Sequence, residues 1–322
     1  MDFWYQNPGW RAWLLLPLTG LFWLISALRR QLFALGLKKH YRPPVPVVVV
    51  GNLSVGGNGK TPVVLALAEA LKAAGLRPGL IARGYGAKGP FPALVSAQSE
   101  ANVVGDEARL LVKRSNLPMA VGGDRRAAIE LLLAHHSIDV LICDDGLQHY
   151  ALARDIEIVV MDGQRRLGNG YLLPSGPLRE GAWRLDSVDF VVVNGNDAGA
   201  GQFAMTLNQG LPRRVCDDSP VQWQALPETL SAAAGIGNPE RFFQSLRQRG
   251  YQLTEALAFN DHHHFTQADF KDVQGPLVMT EKDAVKCQAF APEHWYYVPV
   301  DAAFGPQLCQ AVLETLRSRH GL

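Results

Sequence analysis

The sequence predicts an α/β protein with a core sheet flanked by helices, a smaller C-terminal α/β domain and an apolar N-terminal helix. Three observations carry this. Val47–Val50 is a short β-branched run, and a glycine-dense loop joins it to a helical pattern over Pro62–Leu71. Strand-like and helix-like runs then alternate, stop near position 200, and resume after position 229. Ahead of them all, Ala12–Leu28 carries no charge and includes Trp13, Phe22 and Trp23.

The N-terminal run is followed by Arg29, Arg30, Lys38, Lys39 and Arg42 among leucines. A spanning helix needs roughly 20 apolar residues, and Pro17 and Gly20 interrupt this run. A signal peptide needs a basic start and a small-residue cleavage site, and neither is present. The favoured expectation is a helix lying in a membrane interface, with its basic neighbours facing anionic lipid. A single transmembrane span and an ordinary buried helix are the alternatives.

Composition bounds the rest. At 322 residues and 48% hydrophobic content the chain suits one large or two modest domains. A net charge of +1 gives no argument for a nucleic-acid partner. The four cysteines, Cys143, Cys216, Cys287 and Cys309, show no CxxC spacing, so they read as reduced thiols.

Gly51-Asn52-Leu53-Ser54-Val55-Gly56-Gly57-Asn58-Gly59-Lys60-Thr61 lies between the first strand and its helix. Strand, glycine loop, Gly-Lys-Thr and helix form the context of a P-loop, so the core sheet is read as P-loop NTPase-like. Glycines let backbone N–H groups surround phosphate oxygens, and the helix N-terminus adds positive potential. The nucleotide site is therefore Ser54, Val55, Gly56, Gly57, Asn58, Gly59, Lys60 and Thr61, with Lys60 on the β- and γ-phosphates and Thr61 on Mg²⁺. The strict pattern has glycine where this chain has Ser54. A plain Gly-rich connection is the bland alternative.

Leu80–Ala82 reads as the next strand, ending in Arg83-Gly84-Tyr85-Gly86. Tyr85 is either a ligand contact at a strand end or part of a plain turn. Asp106 precedes a helical run, Ala108–Arg114, and is either its N-cap or a carboxylate aimed at a substrate hydroxyl. Asp124 caps the helix Arg125–Ala134, whose Arg125 and Arg126 are phosphate ligands or merely exposed first-turn arginines. Val140–Cys143 runs into Asp144 and Asp145, paired acids that repel each other at a buried strand end unless a cation sits there. They are the expected Mg²⁺ carboxylates, with Gln148 and His149 close behind.

Ile156–Met161 and Phe190–Val193 are further strands, and the Gly/Pro-rich loop between them holds Arg179 and Glu180. The second α/β unit contains a strand at Ala232–Ile236, a helix that Gly250 ends, a strand at Leu277–Thr280 and a last helix near Pro306–Arg319. Asp261 precedes three histidines there. Consecutive residues in regular structure do not converge on one ion, so a zinc site is disfavoured, and one histidine beside a carboxylate fits better.

GNLSVGGNGKTP, ARGYG, VGDEA, CDDGLQH, LLPSGPLRE, AGIGNPERF, FNDHHHF and TEKDAVK occur in this order along nearly the whole chain. In this series the chain resembles the tetraacyldisaccharide 4′-kinases, the lipid A 4′-kinases of Gram-negative bacteria. The resemblance implies an N-terminal membrane-associated helix over 1–42, a P-loop kinase core over 43–200, a linker over 201–228 and a smaller α/β domain over 229–322. It implies ATP and Mg²⁺, and phosphorylation of the 4′-hydroxyl of a tetraacylated glucosamine disaccharide 1-phosphate to give lipid IVA. The place implied is the cytoplasmic face of the inner membrane, with a lipid surface as partner and no obligate protein partner evident. By motif it assigns Asp106 and His262 to the attacking hydroxyl, with Lys60 as the third catalytic residue. Tyr85, Gln148, His149, Arg179 and Glu180 are the further candidates for the substrate site, with nucleotide, lipid or each other as the alternative partners of Arg179 and Glu180. A membrane-associated P-loop switch ATPase is a competing reading, but its extra lysine would fall at Val55 and it has no use for the Asp-His motif. A non-catalytic binding protein is a third reading, and intact Lys60, Thr61, Asp144 and Asp145 argue against it.

Overall fold

The computed structural model describes residues 2–195 and 198–321. After a 3-10 turn at Asp2–Tyr5 come α1 (Trp10–Leu14) and α2 (Leu16–Ala34). Pro17 does not interrupt this run. It sits in the first turn of α2, where its missing N–H has no helical partner to lose. Ala12, Thr19 and Phe33 are buried, with Phe22 and Ser26 half-buried between them. The other faces remain apolar and exposed, with Leu21, Leu24, Ile25 and Leu28 each 54–59% accessible. An ordinary buried helix is thus excluded, and no helix among the described residues is long and apolar enough to cross a membrane.

β1 (Val47–Gly51) is buried throughout. Val48 and Val50 face one apolar cluster, while Val47 and Val49 face another. A strand with two apolar faces belongs inside a sheet covered on both sides. α3 (Lys60–Ala73) starts at Lys60 because Gly59, at φ +91°, turns the chain directly into the helix. The chain then forms β2 (Pro78–Ala82), β3 (Ala93–Val95), α4 (Ala101–Val104), α5 (Asp106–Ser115), β4 (Met119–Val121) and α6 (Arg125–His135). Asp124 caps α6 as expected, its carboxylate accepting the N–H groups of Arg126 and Ala127. β5 (Val140–Asp144), β6 (Ile156–Asp162), β7 (Phe190–Asn194) and β8 (Phe203–Gln209) complete the parallel part.

The second unit contains β9 (Arg213–Arg214), β10 (Thr229–Ala234), α7 (Pro239–Gln248), β11 (Gln252–Ala258), β12 (Leu277–Thr280), α8 (Glu281–Cys287) and β13 (Trp295–Val298). β14 (Val300–Phe304) and α9 (Pro306–His320) end the chain. Among the described residues the large sheet has the order β14-β8-β7-β6-β1-β5-β2-β4-β3, and the small one β11-β10-β12-β13-β9.

This connectivity departs from the division drawn on the sequence. β8 lies in the stretch read as linker, yet it pairs in parallel with β7. β14 lies in the stretch read as second domain, yet it pairs with β8, and Leu308, Val312 and Leu316 of α9 pack into the large sheet's core. The small sheet therefore draws its strands from 213–298. Sequence pattern could not show this, since an edge strand is assigned to a sheet by its partner alone.

Candidate active site

The loop after β1 is held by its own side chains. Asn58 Nδ2 donates to Ser54 Oγ at 3.1 Å, and Asn52 Nδ2 to the Gly56 carbonyl at 3.3 Å. Ser54 thus accepts a bond within the loop at the position where a glycine is usual. Gly56 is at φ +107°, a backbone state that disfavours a side chain. Val55 N–H donates to the Pro177 carbonyl, and Arg179 N–H to Leu53, so the Gly/Pro-rich loop after β6 is laced to this one. The second unit seats here too. A Cβ on Gly237 would lie 2.6 Å from the Gly57 nitrogen, so only glycine permits that approach.

Val50 pairs with Asp144 across β1 and β5, which places the paired acids beside the loop. Lys60 Nζ lies 3.6 Å from Asp145 Oδ1, and Arg179 reaches both Asp145 oxygens at 2.9–3.0 Å. Burial raises the Asp145 carboxyl, but Lys60 and Arg179 outweigh it and hold the group low. Asp144 differs. It is 3% exposed, and its Oδ1 has no hydrogen-bond partner among the described residues. Burial and the nearby Glu107 charge push it up to about 7 despite Lys60. An orphaned, electrostatically frustrated carboxylate beside a phosphate loop fits a divalent cation.

Asp106 is not the N-cap; Gly105 is, at φ +101°, and Asp106 opens α5. Its carboxylate accepts Glu107 N–H at 2.9 Å and meets His262 Nδ1 at 3.1–3.2 Å. The partners are 156 residues apart, on the two sheet units. Burial raises Asp106, yet the His262 bond and the charges of Lys282 and Lys286 bring it to about 2. The Asp106 bond in turn raises His262 against the opposing effects of burial and Lys282. His263 bonds instead to Asp269 at 3.2 Å. His262 and His263 therefore address different carboxylates.

A cleft of about 670 Å³ opens between these groups. Its wall holds Asp106 and Glu107, the pair Asp144 and Asp145, and Arg29, Arg30, Arg83, Arg125 and Arg179. Phe22 and Ser26 of α2 line it as well, so the exposed apolar face adjoins its mouth. Gln148 and His149 are on the wall, and Gln148 donates to Glu180 Oε2 at 3.1 Å. Tyr150 also bonds Glu180. Burial, then Arg125, lower His149 to about 4, so its ring is neutral near pH 7. Tyr85 is 64% exposed on the wall, its ring 5.0 Å from that of His262.

The family model for tetraacyldisaccharide-1-P 4′-kinases matches residues 11–317. The chain belongs to that family. A tetraacyldisaccharide 4′-kinase of Shewanella sp. (strain W3-18-1) is 51% identical over 315 residues, covering 97% of this chain and 93% of the relative. One from Shewanella baltica (strain OS195) is 52% identical over 318 residues, with 98% and 94% covered. Among solved structures, LpxK from Aquifex aeolicus, crystallised with ATP, superposes with a TM-score of 0.79 at 28% identity. That match covers 94% of this chain and 99% of the other.

Against the 4′-kinase pattern read from the sequence, the structure brings Lys60, Asp144, Asp145, Asp106, Tyr85, Gln148, His149, Arg179 and Glu180 to one cleft or its border. His262 borders the same cleft, bonded to Asp106 and with its ring beside that of Tyr85, both of which line it. Sequence reasoning missed Arg83, Tyr150 and Lys282. It left Arg125 and Arg126 as phosphate ligands or exposed first-turn arginines; Arg126 is exposed, whereas Arg125 is 3% exposed with Nε unpartnered among the described residues.

Proposed function

We propose that this kinase transfers the ATP γ-phosphoryl group to the 4′-hydroxyl of a tetraacylated glucosamine disaccharide 1-phosphate, giving lipid IVA, at the cytoplasmic face of the inner membrane. The observation that carries this is the position of Asp106. It lines a cleft that also holds the Asp144–Asp145 pair beside the nucleotide loop, five arginines, and Phe22 and Ser26 of the otherwise exposed apolar helix α2. Anionic headgroup, hydroxyl acceptor, nucleotide and acyl chains each find a matching surface.

The P-loop N–H groups and Lys60 hold the triphosphate. Thr61, Asp144 and Asp145 would hold Mg²⁺, which when bound neutralises charge on the phosphates. Asp106 accepts the hydroxyl proton as the oxygen attacks, and His262 orients that carboxylate through its hydrogen bond. Arg179 ties Asp145 to the loop that adjoins the substrate side. Arg83 and Arg125 add cationic groups to the cleft wall for the anionic parts of the substrates. The exposed leucines and tryptophans of α1 and α2 enter the lipid surface, leaving Arg29 and Arg30 at the cleft mouth near anionic headgroups.

The direct test incubates purified protein with ATP, Mg²⁺ and the disaccharide lipid in mixed micelles, and reads the lipid by mass spectrometry. One added phosphate on the 4′ position is expected. ADP release without a phosphorylated lipid would overturn the reading in favour of a switch ATPase.

A further inference from the structure

The TEKDAVK segment has no part in the chemistry just described, yet it abuts the Asp106–His262 pair. Its Lys282, in the first turn of α8, is 15% exposed at the side chain. Its Nζ lies 2.9 Å from Glu107 Oε1 on α5, 3.0 Å from Asp261 Oδ1, and 3.4 Å from His262 Nε2. We infer that Lys282 is a positioning residue that seats His262 on Asp106 and fixes which ring nitrogen faces the carboxylate. The inference rests on the reading of Asp106 and His262 as the pair that serves the attacking hydroxyl.

Three geometric facts support it. First, an ammonium only donates hydrogen bonds. In the neutral ring, His262 Nε2 at 3.4 Å can then only accept from Lys282, which puts the ring proton on Nδ1, directed at Asp106. Second, His262 sits at φ +61°, a backbone state uncommon for a side-chain-bearing residue. Asp261 Oδ1 supports that state by accepting His262 N–H at 3.1 Å, and Lys282 holds the same oxygen. Third, Glu107 directly follows Asp106, so Lys282 fastens both members of the pair from one atom.

The charges that face the imidazole are Asp106 and Glu107 from α5, Asp261 from its own loop, and Lys282 and Lys286 from α8. Tyr85 packs its ring beside it. Burial alone would lower Lys282, but Glu107, Asp106 and Asp261 outweigh it and keep the ammonium charged.

The experiment compares kcat at saturating ATP and lipid for wild type, K282M, H262A and K282M/H262A. Loss of an orienting partner is expected to lower kcat by about 10–100-fold in K282M. In the H262A background the same change should alter kcat less than about twofold, because a residue acting through His262 has nothing left to orient. The ¹⁵N shifts of the His262 ring should show Nδ1 protonated in wild type and a tautomer mixture in K282M. If K282M does not fold, D261N carries the test, with a smaller loss that also vanishes without His262. A K282M enzyme within twofold of wild type, or losses that multiply in the double variant, overturns the inference while the Asp106–His262 reading stands. An H262A enzyme at the wild-type rate overturns both.

Discussion

The two halves of the active site are built in opposite ways. The nucleotide half is contiguous: β1, its loop and α3 form one strand–loop–helix unit whose bonds, Asn58 to Ser54 and Asn52 to Gly56, are local. The acceptor half joins residues 156 positions apart and relies on bonds between the two sheet units. Glu107 to Lys282, Lys113 to Asp218 and Arg114 to Glu281 all run from α5 to the second unit. One half therefore takes its shape largely from its own segment, with the loop after β6 and Gly237 packed against it. The other exists only while α5 and α8 are docked.

The largest expected effect strikes the local half. Lys60→Ala removes a charge aimed at the transferring phosphate, and turnover should be abolished. Because the loop's own hydrogen bonds remain, thermal stability should change little. Calorimetry and steady-state rates check both, and a near-normal kcat contradicts the assignment.

The acceptor half should show a different signature. Asp106→Ala or His262→Ala lowers kcat by about 10²–10⁴-fold, and the double variant should cost little more than the worse single one. Rate losses that multiply would show two independent residues. The pH profile sharpens the point. Burial raises Asp106, and the His262 bond is the leading effect holding it down to about 2. Without His262 the carboxyl moves up, so the acidic limb of kcat/KM should shift to higher pH in His262→Ala. An unmoved limb would separate Asp106 from His262.

The smallest effect on chemistry belongs to α2. Leu21, Leu24 and Leu28 are 54–59% exposed, so replacing all three with Gln leaves the fold intact. The variant should lose sedimentation with anionic vesicles while keeping ATP binding and most of its rate on micellar substrate. Retained vesicle binding would place the anchor elsewhere. Deleting the helix would be a poorer test, because Thr19 Oγ1 bonds Ser175 at 2.8 Å and Tyr5 reaches the Val55 carbonyl at 3.4 Å.

What could be read from the residues alone follows the same division. Val47–Val50, the glycines, Lys60, Thr61 and the paired acids specify their structure through neighbours in the chain, since turn and cap preferences are local. The N-terminal helix was legible as apolar, but only packing separated its buried stripe at Ala12, Thr19 and Phe33 from its exposed faces. Asp106 looked like a cap, and the structure gave that place to Gly105 because the carboxylate turns toward a partner from the other sheet. Arg125 could be read as phosphate ligand or exposed side chain alike, because a first-turn position says nothing of what faces it. β8, β14 and α9 went to the large sheet because strand pairing and apolar packing join residues without regard to their separation along the chain. Local backbone chemistry wrote the phosphate loop into the sequence, whereas the carboxylate–imidazole pair, its lysine and the cleft between the units depend on long-range burial that only the folded chain brings about.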